Sequence, residues 1–165
     1  GVPGKESATL TDYLFKDGKT NRSLIVGADF PGGRRAVLTY RLVRTLIAME
    51  DDLGYRQYRA YVRALHAKRS ADLPKEREIS LVEILLLTGR HHQIRVQMAG
   101  AGLPLLGDGR YGVPASRELS QKVHCRSVAL CASKLTFYHP VTRQELSFRH
   151  LPEDDIFQPF FAEGI

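Results

Sequence analysis

The chain has 165 residues, the size of one domain, and its 43% hydrophobic and 25% charged residues exclude a disordered, collagen-like or disulfide-stapled protein. It contains no apolar run of about 18 residues, the length that a transmembrane helix needs. Its 24 Lys and Arg against 18 Asp and Glu give a net charge of +6, which suits a polyanionic partner. Two cysteines, Cys125 and Cys131, are too few for a disulfide framework and favour a reducing compartment such as the cytoplasm.

Two segments have the spacing of β-strands. Ala36, Leu38, Tyr40 and Leu42 alternate with their neighbours at a period of two, which predicts a strand with these four residues on one face. Residues 79–87 are apolar at nearly every position, which predicts a second strand that is buried on both faces and central in its sheet.

The segment 49–78, between these two strands, is charged at both ends. Its middle, 55–69, spaces Tyr55, Tyr58 and Val62 on one helical face, which predicts an inserted helix followed by a charged linker. Two interpretations stay open: a surface helix that docks through its tyrosines, or a basic helix that contacts RNA.

The apolar period changes to 3.6 from His91 onward. A stripe of Ile94, Met98 and Ala99 predicts a helix that ends near Gly100. Further along, 129–138 and 145–149 alternate on either side of a turn, which predicts a β-hairpin. These elements indicate an α+β fold, with a mixed, largely antiparallel sheet and flanking helices, in a single domain over residues 1–165.

Two apparent motifs favour structure over chemistry. Residues 107–112 read GDGRYG and fit G-x-G-x-x-G, but no strand precedes them and no helix begins within them, so we expect a tight structural loop. Adjacent His91 and His92 cannot ligate one metal from a shared helix face. The set His124, Cys125, Cys131 and His139 matches no zinc-site spacing. We therefore expect no metal site.

Four separated regions of the sequence, 10–22, 36–40, 87–112 and 137–140, carry a family resemblance. The longest reads LTGRHHQIRVQ (87–97) and is followed by GLPLLGD (102–108) and by Tyr111-Gly112. LTDYLFKD (10–17) with Asn21-Arg22, AVLTY (36–40) and FYHP (137–140) occur in the same order as in that family. The chain resembles the RluA-like family of RNA pseudouridine synthases over nearly its whole length.

This resemblance implies an enzyme that isomerises uridine to pseudouridine in structured RNA, such as rRNA or tRNA, without a cofactor. The family's catalytic aspartate lies in an Arg-Leu-Asp motif followed by Thr-Ser-Gly, and this chain contains no Arg-Leu-Asp. We therefore expect an incomplete pseudouridine synthase fold, the C-terminal part of a catalytic domain, that is inactive alone. The alternative is a catalytically dead RNA-binding or scaffolding remnant of the fold.

The resemblance also implies roles for particular residues. Tyr40 would stack on the uracil and help to remove its C5 proton, and Arg95 would be the basic partner of the catalytic aspartate. Four residues of the turn and helix that precede or flank Arg95 would contact the substrate: Arg90, His92, Gln93 and Ile94. Arg90 would bind an RNA phosphate or the active-site loop, and Ile94 would pack near the base.

Overall fold

The computed structural model describes residues 1–51, 54–60 and 77–161, with the backbone alone for 47–51, 54–60 and 77. The elements in chain order are β1 Ser7–Asp17, β2 Arg22–Val26, β3 Arg34–Asp51, β4 Gly54–Ala60, β5 Arg77–Leu86, α1 Gln93–Gly100, α2 Pro114–Lys122, β6 Lys134–Tyr138, β7 Glu145–Arg149 and α3 Gln158–Phe161. The predicted α+β class and antiparallel sheet are confirmed. No described helix has the length and hydropathy to span a membrane.

The long strand β3 is the centre of the five-stranded sheet. One of its edges pairs with β1, where Leu10 lies opposite Leu38, and further along with β4. Its other edge pairs with β5, where Leu86 lies opposite Leu38. The predicted strand 36–43 thus lies within β3. The predicted strand 79–87 is confirmed as β5, but it is not central within the described residues, where it pairs with β3 alone.

The helix predicted within 49–78 is wrong where the structure describes this segment. Strand β3 continues to Asp51, and residues 54–60 return antiparallel to it as β4, with Ala60 opposite Leu46. The tyrosines at 55 and 58 fit a helical spacing, but cross-strand pairing decides the conformation of such short segments. The rest of the predicted helix and its linker, 61–76, lies outside the described residues.

Helix α1 packs on the face of β1 and β3 that carries Leu14 and Ala36, which form one apolar cluster with Val96. The helix begins at Gln93 rather than His91, and its buried residues are Gln93, Val96, Gln97 and Met98. The predicted stripe of Ile94, Met98 and Ala99 is therefore only partly correct. Both buried amides bond to the sheet: Gln93 Nε2 donates to the Val37 carbonyl at 3.0 Å and Gln97 Nε2 donates to Asp12 at 2.7 Å.

A second apolar cluster joins the far half of β3 to the C-terminal helices and comprises Leu46, Ile79, Leu119, Val123 and Phe160. The predicted hairpin is confirmed as β6 and β7, although β6 begins at Lys134 rather than near 129. Its turn is closed by His139, whose Nδ1 accepts from the amides of Val141 and Thr142 at 3.2 and 3.1 Å.

Candidate functional site

The junction between β5 and α1 is fixed by one buried side chain, Gln93, which is 3% exposed. Its Oε1 accepts from the Thr88 hydroxyl and from the Arg90 amide, both at 2.9 Å. The Thr88 hydroxyl oxygen also accepts from the Val37 amide at 2.8 Å. Both ends of the Gln93 amide are thus satisfied within the protein, so Gln93 positions the turn rather than offering groups to a ligand.

Arg90 is held on the same turn. Its Nε donates to the Arg35 carbonyl at 3.0 Å, which orients the guanidinium without neutralising its charge. The side chain is half-buried between the turn and the start of β3. It therefore presents a fixed positive charge at the junction.

Arg95 of α1 forms a bidentate ion pair with Asp108. Nε donates to Oδ2 at 2.8 Å and Nη2 donates to Oδ1 at 2.7 Å, and the side chains are 19% and 1% exposed. The sequence shows no obvious local carboxylate for Arg95, and the structure supplies one from the loop that follows α1. A planar guanidinium and a carboxylate in this geometry orient each other.

The Asp108 carboxylate belongs to the loop 107–112, whose backbone also binds it. Asp108 Oδ1 also accepts from the amides of Arg110 and Tyr111, both at 3.0 Å. Burial raises the pKa of the Asp108 carboxyl, but the hydrogen bonds from Arg95, Tyr111 and Arg110 outweigh burial and lower the pKa to about 2. Asp108 is consequently ionised at neutral pH, and the interpretation of 107–112 as a tight structural loop is confirmed.

His91, His92, Ser23 and Tyr111 form a connected network beside this pair. The Ser23 amide donates to the Tyr111 hydroxyl at 2.9 Å, and the same hydroxyl is hydrogen-bonded to His92 Nδ1, also at 2.9 Å. The two imidazoles lie 3.8 Å apart between ring centres. The guanidinium of Arg95 lies 5.0 Å from the centre of the Tyr111 ring. Burial, then the positive charges nearby, lower the pKa of both histidines, which favours the neutral form of each.

Tyr40 and Ile94 lie on a different surface, an open cleft of about 2160 Å³ between β5, α1 and the C-terminal segments. Tyr40 is 5% exposed within β3, opposite Ala8 and Ile84. The cleft is largely apolar, and its wall includes the exposed side chains of Leu85 and Leu86. Arg95 does not line this cleft.

The structure thus sorts the predicted residues into three groups. His92 and Arg95 meet at Tyr111, Arg90 and Gln93 join the turn to β3, and Tyr40 and Ile94 line the cleft. Sequence reasoning missed Asp108, Tyr111 and Ser23 as members of the site. The Gly-Asp and Tyr-Gly pairs within 107–112 are the sequence features that could have identified Asp108 and Tyr111, whereas no local pattern identifies Ser23.

No family model matches the chain. An uncharacterised RNA pseudouridine synthase of Chlorobaculum parvum is 31% identical over 167 residues, 93% of this chain and 42% of that protein. The dual-specificity RNA pseudouridine synthase RluA of Pasteurella multocida is 39% identical over 71 residues, 43% of this chain and 30% of that protein. An uncharacterised RNA pseudouridine synthase of Bacillus subtilis is 47% identical over 77 residues, 47% of this chain and 23% of that protein.

Among solved structures, the human RNA pseudouridylate synthase domain containing 1 protein has the same fold, with a TM-score of 0.63 and 19% identity. The match covers 98% of this chain and 54% of that chain. The chain spans less than half the length of the curated relatives that it matches.

Proposed function

Since the chain belongs to the RluA-like family of RNA pseudouridine synthases, we propose that the protein isomerises uridine to pseudouridine in RNA. The observation that carries this proposal is the similarity to a pseudouridine synthase over 93% of the chain, which includes the junction and helix that hold Arg90, His92 and Arg95. In this reaction the bond from C1′ to N1 breaks, the uracil turns, a bond from C1′ to C5 forms, the C5 proton is removed, and N1 takes up a proton. The product is an isomer of the substrate, so no cofactor is required.

The reaction needs a carboxylate, and the proposal takes it from outside residues 1–165 because these contain no Arg-Leu-Asp. Arg95 is the proposed basic partner of that carboxylate. Asp108 occupies the Nε and Nη2 edge of the guanidinium and holds its orientation, so we propose that Nη1 is directed to the catalytic carboxylate. In this arrangement Asp108 is a positioning residue.

The role of Tyr40 as the group that stacks on uracil and removes the C5 proton stays a prediction, as does that of Ile94. Both residues line the cleft wall, which agrees with such roles. A tyrosine that only packs in the core of the sheet would be as buried as Tyr40, which is 5% exposed, so burial does not distinguish the two roles. A Tyr40→Phe variant of the whole protein tests this role through its turnover.

We propose structured RNA, either rRNA or tRNA, as the substrate and the cytoplasm as the compartment. The net charge of +6 and the basic residues of the α1 junction support an RNA partner. Cys125 and Cys131 are not joined in a disulfide, which supports a reducing compartment.

Tritium release from RNA that carries 5-tritiated uridine tests the proposed function. We expect the protein expressed from its complete reading frame to release tritium, and the 165-residue chain alone to release none, because it lacks a replacement carboxylate. The proposal requires an Arg-Leu-Asp in that reading frame, and the control is the complete protein with this Asp changed to Asn. If the complete protein binds RNA but releases no tritium from rRNA or tRNA, the alternative of a catalytically dead RNA-binding remnant replaces the proposal.

A further inference from the structure

A cavity of about 250 Å³ lies beside the turn into α1, at the end of β1 where β3 begins. Four of its lining residues carry basic side chains: Lys16, Arg34, Arg90 and His91. The others are Leu14, Phe15, Ser23 and Gly32. We propose that this cavity, the cation pocket, binds a phosphate group of the RNA backbone. The identification of RNA as the source of the phosphate rests on the proposed function, whereas the binding of phosphate by the pocket does not.

The strand registers bring these side chains to one face. Leu14 lies opposite Arg34 in the pairing of β1 with β3, and Lys16 lies opposite Ser23 in the pairing of β1 with β2. Residues directly opposite each other share a face of a sheet, as do residues two apart in a strand, so Lys16, Ser23 and Arg34 point to the same side as Leu14. This is the side on which α1 packs, and the turn before α1 adds Arg90 and His91.

Within the part of the chain that the structure describes, the basic side chains of the pocket have no acidic partner. Among the described residues no carboxylate lines it, and neither Lys16 nor Arg34 makes an ion pair. The hydrogen bond from Arg90 goes to a neutral carbonyl. Three permanent cations around one small cavity repel each other, and an anion between them relieves that repulsion. Two guanidinium groups and an ammonium are the side chains that proteins use for phosphate oxygens.

His91 closes the pocket on the side of the turn. The Ser23 hydroxyl donates to the His91 carbonyl at 2.7 Å, so its oxygen accepts from His91 Nδ1 at 2.9 Å, and the neutral imidazole is the Nδ1–H tautomer. Protonation at Nε2 would add one more donor for a phosphate oxygen.

The surroundings of His91 make it a reporter of anion binding. Burial lowers the pKa of His91, and the charges of Lys16, Arg110 and Arg95 lower it further. Arg34 and Arg90 line the same pocket, the ring of His92 lies 3.8 Å from that of His91 at a tilt of 32°, and the Asp108 carboxylate is paired with Arg95. A bound phosphate opposes this positive field, so it raises the pKa of His91.

The first arm of the test uses inorganic phosphate, which requires no RNA. The protein expressed from its complete reading frame is titrated by NMR, with the His91 ring signal assigned through His91→Gln. At constant ionic strength we expect phosphate to raise the pKa of His91 in the unmodified protein. The double variant Lys16→Gln/Arg34→Gln should lose this response. The matched control Lys19→Gln/Arg35→Gln removes the same charge outside the pocket, since Lys19 lies in the exposed turn and Arg35 alternates to the other face of β3.

The second arm uses a stem-loop RNA with a uridine-rich loop. One lost phosphate contact should lower the slope of log affinity against log salt by about 0.7 to 0.9 in the pocket variant, with a loss of affinity of about tenfold. The control variant should keep a slope closer to that of the unmodified protein. Thermal unfolding of both variants shows whether they fold, and Lys16→Gln alone repeats the test if the double variant does not.

The outcomes separate the two proposals. If phosphate does not move the pKa of His91 in the unmodified protein, or moves it equally in the pocket variant, the cation pocket is not a phosphate site. If phosphate binds but the RNA slope is unchanged in the pocket variant, the pocket binds free phosphate and the assignment to RNA is wrong. If both arms succeed while no tritium is released in the isomerase assay, the pocket stands and the proposed isomerase function fails.

Discussion

The two flanks of helix α1 differ in how completely they are filled. One flank, the polar flank, comprises Ser23, His91, His92, Arg95, Asp108 and Tyr111, which are joined by hydrogen bonds of 2.7 to 3.0 Å. The other flank carries Ile94 and Met98 and faces the wide apolar cleft. The polar flank specifies side-chain positions through directional bonds, whereas the cleft flank offers apolar area with little to orient a ligand. We therefore expect substitutions on the polar flank to cost stability, and substitutions of exposed side chains on the wall of the cleft, such as Leu85, to cost little.

The largest expected effect comes from breaking the buried ion pair. Asp108→Asn should lower the free energy of unfolding by about 3 to 5 kcal/mol, because it leaves the Arg95 charge, 19% exposed, without a carboxylate. Urea unfolding at neutral pH measures the change. The matched control is Glu83→Gln, which breaks the exposed pair with Arg41, where the side chains are 50% and 68% exposed, and should cost about 1 kcal/mol or less.

The loss of stability in Asp108→Asn should depend on pH. The pKa of Asp108 is lowered in the folded protein from 3.8 to about 2, so its ionised form stabilises the fold above pH 3.8, and this contribution is lost as the pH falls towards 2. It amounts to about 2 kcal/mol, since one unit of pKa corresponds to about 1.4 kcal/mol. The difference in stability between the unmodified protein and Asp108→Asn should shrink in the same pH range. A difference that stays constant from pH 6 to pH 2.5 would contradict the low pKa.

The next prediction concerns the backbone that holds Asp108. Gly107 has φ +71°, and a Cβ at this position would lie 1.8 Å from the Ser127 carbonyl oxygen. Gly107→Ala should therefore lower the free energy of unfolding by about 2 to 4 kcal/mol, through strain in the left-handed region and displacement of the 127 backbone.

Gly109 is the matched control for Gly107, two residues away in the same loop. No atom lies within 4 Å of a Cβ built there, and its φ is not positive. Gly109→Ala should change stability by less than about 1 kcal/mol in either direction. Equal losses in the two variants would show that the loop relaxes around Gly107, and the polar flank would then be less strictly specified than its hydrogen bonds indicate.

Local patterns in the sequence are sufficient for several elements. The alternation around Tyr40, the change of period at His91 and the turn at 139–142 predict β3, α1 and the hairpin, because each signal lies within the element that it predicts. Strand β4 was missed because its conformation depends on pairing with β3, and a tyrosine spacing of three fits a helix equally well.

The candidate site likewise has features that the sequence identifies and features that depend on tertiary contacts. The resemblance identifies the stretch around Arg95, but the pairing of Arg95 with Asp108 joins residues 13 positions apart across two elements, and the network through Ser23 spans 68 positions to His91. Periodicity does not report such contacts, because they depend on how α1 packs against β1 and β2. The burial of two glutamines on α1 is likewise a tertiary effect, since each bonds to the backbone or a side chain of the sheet.

The smallest expected effect lies on the wall of the cleft. Leu85 is 64% exposed and lines the cleft, so Leu85→Gln removes little buried area and should change the free energy of unfolding by about 0.5 kcal/mol or less. It should also weaken the fluorescence of an apolar dye that binds exposed hydrophobic surface. The control is Val141→Gln, which replaces an 82% exposed residue outside the cleft and should leave dye binding unchanged.

A larger loss of stability at Leu85, about 2 kcal/mol or more, would require this side chain to be buried in the folded protein in solution. The described residues do not bury it, so either a second copy or another part of the protein would have to cover the cleft. Dependence of the loss on protein concentration identifies a second copy, since association responds to concentration and intramolecular packing does not. A small loss with reduced dye binding keeps the two flanks of α1 as different as the structure shows them.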